Sequence, residues 1–314
     1  MSAVRRVRGT RVGVVVLSHE GADLTLDCLT SLGSQDYADR LDIVVDNGST
    51  DNVLARVATG FPHAHGIRLE RNLGFSAGNN VGIAHALDQG CDHVLVLNND
   101  TFVRPRALEV LTNAACEHAS VGAVSPLLLF ADDPDLIWYA GADFEPCSGM
   151  PGRMSGYRER LSSCAVPPGT TDRFTGAAVL VPADVVRAVG ALDEDLFFLL
   201  EDAEWSTRIR RAGYSIRLEP EAHILHRVAR THGTEHSSAS YYYGVRNQII
   251  VGERLCPGPR WRSARRAIVA LGVQLARARR ARHPSTAVSA ALEGLVDAVR
   301  GRMGQWRRHG RLRE

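Results

Sequence analysis

The sequence predicts an α/β protein: a mostly parallel sheet flanked by helices, followed by basic helices at the C-terminal end. Three observations carry this. Short apolar runs alternate with segments of helical period over roughly the first 125 residues. Several of those runs stop abruptly in carboxylates and amides, as buried parallel strands do where open sheets place ligands. Beyond residue 256 the composition changes and becomes rich in Arg.

In chain order, Val12–Leu17 reads as a strand buried on both faces, ended by Ser18-His19-Glu20. Asp23–Leu32 has helical spacing, with Leu24, Cys28, Leu29 and Leu32 on one face. Leu41–Val45 is a second strand, closed by the turn Asp46-Asn47-Gly48-Ser49-Thr50-Asp51, in which Ser49 or Thr50 is expected to cap a short helix. Ile67–Glu70 is a third strand, and Arg71–Asn80 is a loop entering a helix that runs to about Asp88. Val94–Leu97 is the fourth, ending in Asn98-Asn99-Asp100. Pro105 is expected at a helix start, where its missing N–H would be unpaired anyway. From Asp132 to Asp172 the spacing predicts irregular loops with short strands, suited to a flap. Phe174–Val181 returns as a strand with unusually small residues at Thr175–Ala178, and Glu201–Arg211 is helical with Gly213 as its terminator. Tyr214–Leu218 and Ala222–Leu225 are strand-like, and Ser238–Leu255 is helical. The division expected is one α/β domain over residues 1–256 and a basic helical tail over 257–314.

The 45% hydrophobic and 23% charged fractions are ordinary for a soluble globular enzyme. The net charge of +2 is unevenly spread: there is no Lys, and residues 260–314 carry 14 Arg against Glu293, Asp297 and Glu314, leaving −9 for the rest. Within the tail, Ile268, Val269, Leu271, Val273 and Leu275, then Leu292, Leu295, Val296 and Val299, lie among the Arg residues. Two basic amphipathic helices of this kind suit an anionic membrane surface, with a homodimer through the same helices as the other use. The scarcity of aromatics in the tail weighs against nucleic acid. No apolar run approaches the roughly 18 residues of a membrane span, and Met1–Arg11 lacks the apolar stretch of a signal peptide. Cys28, Cys91, Cys116, Cys147, Cys164 and Cys256 form no C-x-x-C pair, so reduced thiols in the cytoplasm are expected rather than a zinc site or a disulfide framework.

Several constellations can carry chemistry. Asp46 ends a strand, where a carboxylate accepts from a nucleobase or a ribose, although Asp-Asn-Gly-Ser also serves a plain turn. Asn72, Gly74, Gly78 and Asn80 open a helix whose small residues let a phosphate approach the backbone, or let the helix pack closely on the sheet. Asn99 and Asp100 suit a hard divalent cation whose other ligands come from a diphosphate, with helix capping as the plain reading of Asp100. In Asp193–Trp205 an apolar run from Leu196 to Leu200 pulls Glu201 and Asp202 toward the interior at a helix start. There the dipole favours the ionised carboxylate while burial raises its pKa, a balance that suits a general base. Among His223, His226, His232 and His236, His226 at a strand end is the one placed to reach a metal.

Taken in order, these segments resemble family 2 glycosyltransferases of the GT-A fold, and within them rhamnosyltransferase-like bacterial enzymes. The motifs are Val45–Asp51 (VDNGSTD), Asn72–Asn80 (NLGFSAGNN), Leu97–Asp100 (LNND), Phe174–Val181 (FTGAAVLV), Asp193–Arg208 (DEDLFFLLEDAEWSTR), His226 and Tyr241–Asn247 (YYYGVRN), within residues 11–255. The resemblance implies that Asp202 is the catalytic base. It implies a donor site of Ser18, Asp46, Asn72, Gly74, Asn80, Asn99 and Asp100. It implies a metal held by Asp100 and His226, either Mg²⁺ or Mn²⁺, and an acceptor region including Gly176, Glu201 and Trp205. Asn98 stands where the family's metal motif often has a first Asp, and Ser18-His19-Glu20 stands where relatives often carry Thr-Tyr-Asn. The activity implied is inverting transfer from a nucleotide-sugar donor, with dTDP-rhamnose favoured and a UDP-sugar as the alternative. The acceptor implied is a hydroxyl of a cell-envelope or lipid-linked glycan at the inner face of the membrane. A non-catalytic sugar-nucleotide-binding protein and a nucleotidyltransferase are the competing readings. The presence of both Asp100 and Asp202 weighs against the first, and the Asp193–Trp205 and Tyr241–Asn247 motifs weigh against the second.

Overall fold

The computed structural model describes residues 9–147, 152–228 and 237–307. The first half is laid down as alternating strands and helices: β1 (Val12–Ser18), α1 (Ala22–Gly33), β2 (Arg40–Asp46), α2 (Val53–Gly60), β3 (His65–Arg68), α3 (Gly74–Asp88), β4 (His93–Asn98), β5 (Thr101–Val103) and α4 (Ala107–Cys116). The second half adds β6 (Val121–Phe130), β7 (Asp133–Tyr139), β8 (Ala142–Asp143), β9 (Arg153–Met154), β10 (Gly169–Thr170), β11 (Ala178–Pro182), α5 (Ala183–Val189), α6 (Glu201–Arg211) and β12 (Ser215–His226). Three helices close the chain: α7 (Ser238–Leu255), α8 (Arg260–Ala278) and α9 (Pro284–Val299).

One mixed sheet runs in the order β10-β12-β6-β11-β4-β1-β2-β3, with β5 beside β12 and β7 beside β6. Strands β1 to β4 are parallel, and β11 enters antiparallel between β4 and β6. Successive residues of each strand feed opposite layers. Val12, Val14, Val16, Leu95 and Leu97 pack with α1 and α4, while Val15, Val94 and Val96 pack with α3, α5 and α6. Burial on both faces explains why these strands read as unbroken apolar runs.

Helix α3 lies unusually close to the sheet. A Cβ at Gly82 would stand 2.3 Å from Val15 Cγ1, and the Gly82 φ lies in no left-handed region, so close approach is what requires glycine there.

Several expectations are corrected. Strand β6, long and central, was not expected, because Ser125-Pro126 interrupts its apolar run. The sheet absorbs Pro126 where β12 slips register between Glu219 and His223, which also joins the two segments expected there into one strand. Helix α5 was also unforeseen. The N-cap of α2 is Asn52, at φ 54°, rather than Ser49 or Thr50, and α4 begins after Arg106, at φ 65°, two residues beyond Pro105. Residues 174–177 form a loop, so the strand there starts only at Ala178. The thiols are not all reduced: Cys147 and Cys256 form a disulfide with Cα atoms 5.4 Å apart, while Cys28, Cys91, Cys116 and Cys164 are free. Pairing across 109 positions leaves no local spacing to detect. Helices α8 and α9 pack on α7 in a third core, which also holds Phe144, Leu196 and Ala203. Among the described residues no helix is long and apolar enough to cross a membrane.

Replacing Gly82 by Ala is expected to destabilise the fold by about 1–3 kcal/mol through overpacking against Val15. Urea unfolding checks this; an unchanged midpoint would mean that α3 can lift from the sheet.

Candidate active site

The parallel strands bring their carboxyl ends to one edge, where Ser18 pairs with Asp46 in register and Leu17 with Asn98. The Asp46 carboxylate is fully buried; it accepts from Ser49 N (2.8 Å) and pairs with Arg68. Ser18 is also fully buried, and its hydroxyl accepts from Thr25 Oγ1 (2.9 Å). Asn99 reaches Thr25 Oγ1 (3.1 Å) and Gly21 O (3.3 Å), fixing the start of α1 against the end of β4.

Asn47, which the sequence reading passed over in favour of Asp46, ties two motifs together. Its side chain donates to Asn72 Oδ1 and Gly74 O (both 3.1 Å) and accepts from Leu73 N (2.8 Å). Asn72 in turn accepts from Gly74 N (2.8 Å). Gly74 has φ 90°, and a Cβ there would meet Phe197 O at 2.5 Å, so only glycine lets this loop press on the Phe197 turn. Phe75 N donates to Phe197 O (2.6 Å). Asn80 uses its amide on Leu192 and Glu194, bracing α3 against the same segment.

That segment is strained. Phe197, Leu199 and Leu200 have φ of 63°, 69° and 71°, a region bulky side chains avoid. The turn is held by the Tyr241–Asn247 motif of α7. Asn247, fully buried, donates to Leu196 O (3.0 Å), Phe198 O (2.8 Å) and Leu199 O (2.7 Å). Arg246, equally buried, donates to Leu196 O (2.8 Å), Asp195 O (3.2 Å) and Gly304 O (2.5 Å). The turn delivers Glu201 and Asp202 into the first turn of α6. Asp202 Oδ2 accepts from Gly176 N (3.2 Å). Because Asn98 N donates to Ala177 O (2.9 Å), this contact sets Asp202 beside the carboxyl end of β4.

Glu201 lies behind Asp202, buried, with Oε2 lacking a hydrogen-bond partner. Burial, reinforced by the neighbouring Asp202 charge, pushes its pKa from the ordinary 4.5 up to about 8. The buried Arg173, whose guanidinium is held charged by Asp202, partly opposes that rise. Trp205 is corrected from acceptor contact to core: it is fully buried, stacks edge-on with Phe174 and spends its indole N–H on Gly190 O (2.8 Å). Arg208 pairs with Glu204 (2.7 Å) one turn earlier.

Asp100 and His226 converge from β4 and β12. Asp100 Oδ1 and His226 Nε2 lie 3.1 Å apart, and the Trp138 ring stands edge-on to the imidazole at 4.3 Å. Asp100 Oδ1 and His226 Nδ1 are buried without a hydrogen-bond partner. A buried carboxylate oxygen without a hydrogen bond, 3.1 Å from an imidazole Nε2, fits a divalent cation between them. His232 and His236 lie outside the described residues. A cavity of about 680 Å³, lined in part by Arg71, Asn72, Phe197 and Tyr242, adjoins the Gly74 loop but has none of Asp100, Asp202 and His226 in its wall.

Residues 13–178 match the family model described as glycosyl transferase family 2. The chain is 29% identical over 234 residues to an N-acetylglucosaminyl-diphospho-decaprenol L-rhamnosyltransferase of Mycobacterium tuberculosis (strain CDC 1551 / Oshkosh), spanning 68% of this chain and 74% of that one. It is 32% identical over 222 residues to galactofuranosyltransferase GlfT1 of Mycolicibacterium smegmatis, spanning 68% and 70%. Among solved structures it resembles the mannosyltransferase PcManGT from Pyrobaculum calidifontis, in complex with GDP-Man and Mn²⁺. The TM-score is 0.57 at 17% identity, over 94% of this chain and 76% of that one, a likeness of fold. The architecture is thus the mixed α/β GT-A type.

Two measurements probe the turn. Asn247→Ala leaves the Phe198 and Leu199 carbonyls without their donor, while Leu196 O keeps Arg246, and is expected to lower stability by at least about 2 kcal/mol in urea unfolding; a smaller loss would mean that water replaces the amide. For Glu201 the folded state keeps a proton that the unfolded state releases between pH 4.5 and about 8. Its contribution to stability therefore falls as pH rises through that window. Glu201→Gln is expected to flatten this decline, and an unaltered slope would assign the proton elsewhere.

Proposed function

The chain belongs to glycosyl transferase family 2, and we propose that it transfers a single sugar, with inversion, from a nucleotide-sugar donor to a hydroxyl of a cell-envelope or lipid-linked glycan. It is a glycosyltransferase of the hexosyltransferase kind. Rhamnose from a dTDP donor is the reading we favour, supported by the name of the mycobacterial rhamnosyltransferase; a galactofuranosyl donor is the second, supported by the name of GlfT1.

The observation that carries the mechanism is the placement of Asp202. It sits at the start of α6, docked by Gly176 N against the edge where β1, β2 and β4 end. In the proposed reaction the acceptor hydroxyl gives its proton to Asp202 as its oxygen attacks the anomeric carbon. The bond from that carbon to the diphosphate breaks, and the electron pair leaves with the nucleoside diphosphate. One base suffices, unlike the paired carboxylates of glycosidases. Asp100 and His226 would hold Mg²⁺ or Mn²⁺, which when bound neutralises charge on the departing diphosphate. Asp46, beside Arg68, would receive the nucleoside, and the Asn72–Gly74 loop would close on the donor. Asn80 acts one step removed, by holding α3 to Leu192 and Glu194. We place the enzyme at the cytoplasmic face of the membrane, where lipid-linked acceptors are presented.

The test is a panel of nucleotide sugars with Mn²⁺, read by thermal shift and by product analysis. Asp202→Asn is expected to lower transfer by about 10²- to 10⁴-fold while the donor still raises the melting temperature. Undiminished transfer would remove Asp202 from the role of base. Release of pyrophosphate would favour a nucleotidyltransferase, and donor binding without turnover a non-catalytic protein.

A further inference from the structure

Surface helices normally bury large apolar side chains and expose small or polar ones. Helices α8 and α9 depart from this on their fully buried sides. The side of α8 turned to α7 carries Arg266, Ala270, Gln274 and Ala278, one every four residues. Arg266 lies against Gly252 and Gln274 against Gly244. The inward side of α9 is almost all small residues, and Gly294 meets the Tyr242 carbonyl.

Several bulky residues consequently point outward, while Leu271, Val288 and Leu295 pack partly on the core. Ile268, halfway round the helix from Arg266 and Ala270, is 72% exposed; Trp261 and Val299 are 62% and 77% exposed. Leu292, Val296 and Met303 complete the set, so every exposed large hydrophobic among the described residues falls between 261 and 303. The two helices rest on the same α7 and touch each other, which makes their outer sides one surface. Arg265, Arg277, Arg279, Arg280 and Arg282 are exposed around it. The only acids between 257 and 307 are Glu293 and Asp297, and both are engaged, with Trp306 and with Tyr242 and Arg302.

We propose that this outer face of α8 and α9 seats the protein on an anionic lipid bilayer. The apolar side chains enter the headgroup boundary, Trp261 lies at the interface, and the Arg rim meets lipid phosphates. A second copy fits the face less well. A two-fold dimer through it would set one Arg rim against another, a like-charge contact that costs affinity. The surface does not depend on which sugar is transferred, nor on Asp202 being the base.

The experiment uses the full chain and sedimentation with vesicles of phosphatidylcholine, with and without phosphatidylglycerol. Binding is expected only with phosphatidylglycerol and is expected to weaken with added salt. The double variant Ile268→Ser, Val299→Ser changes exposed positions, so its melting temperature should hold while vesicle affinity falls at least about tenfold. Arg279→Glu with Arg280→Glu should also weaken binding. Failure of the wild type to sediment, equal binding by the variants, or a dimer in solution that Ile268→Ser dissociates would each overturn the proposal.

Discussion

The hydrogen bonds from Asn247 to the carbonyl oxygens of Leu196, Phe198 and Leu199 hold the part of the molecule on which the site depends. Without them the turn through Phe197, Leu199 and Leu200 would have no reason to keep a left-handed backbone on bulky residues. Its shape decides where α6 begins, and hence where Asp202 stands. It also presents Phe197 O to Phe75 N and the Phe197 ring to Gly74. One amide on α7 therefore sets the start of α6 and, through Phe197, the Gly74 loop together.

The polar groups around this turn divide into two kinds. Asn47, Asn72, Asn80, Ser18 and Asn99 have spent their hydrogen bonds on the protein itself and brace loops. Asp100 Oδ1 is buried without a hydrogen bond, facing His226 Nε2 at 3.1 Å. A buried unsatisfied atom is expensive unless something else completes it.

Much of the fold was legible because its signals are local. Alternation of apolar runs and helical spacing located β1 to β4, α6 and α7, since strands buried on both faces leave no polar period to blur them. What escaped depends on distant partners. Strand β6 hides behind Pro126, which is tolerable only because β12 bulges opposite it. The disulfide joins Cys147 to a residue near the end of the helical segment, and no spacing announces it. In the site, Asp46, Asp100, Asp202 and His226 stood out as acids or imidazole at element ends. Trp205 was misplaced because an aromatic one turn after a carboxylate looks the same whether it faces a ligand or a core. Asn247 and Arg246 were visible as a motif, but their meaning required knowing which carbonyls they reach.

The link from Arg246 to Gly304 has a further consequence, for the order in which the protein is made. The turn carrying Glu201 and Asp202 takes its shape from residues 246 and 247, and Arg246 is itself bonded to a carbonyl at 304. Synthesis must therefore pass residue 304 before the turn has all of its supports. A fragment cut short before α7 would keep the Asp46 and Asp100 edge but lose the contacts that fix the turn leading to Asp202.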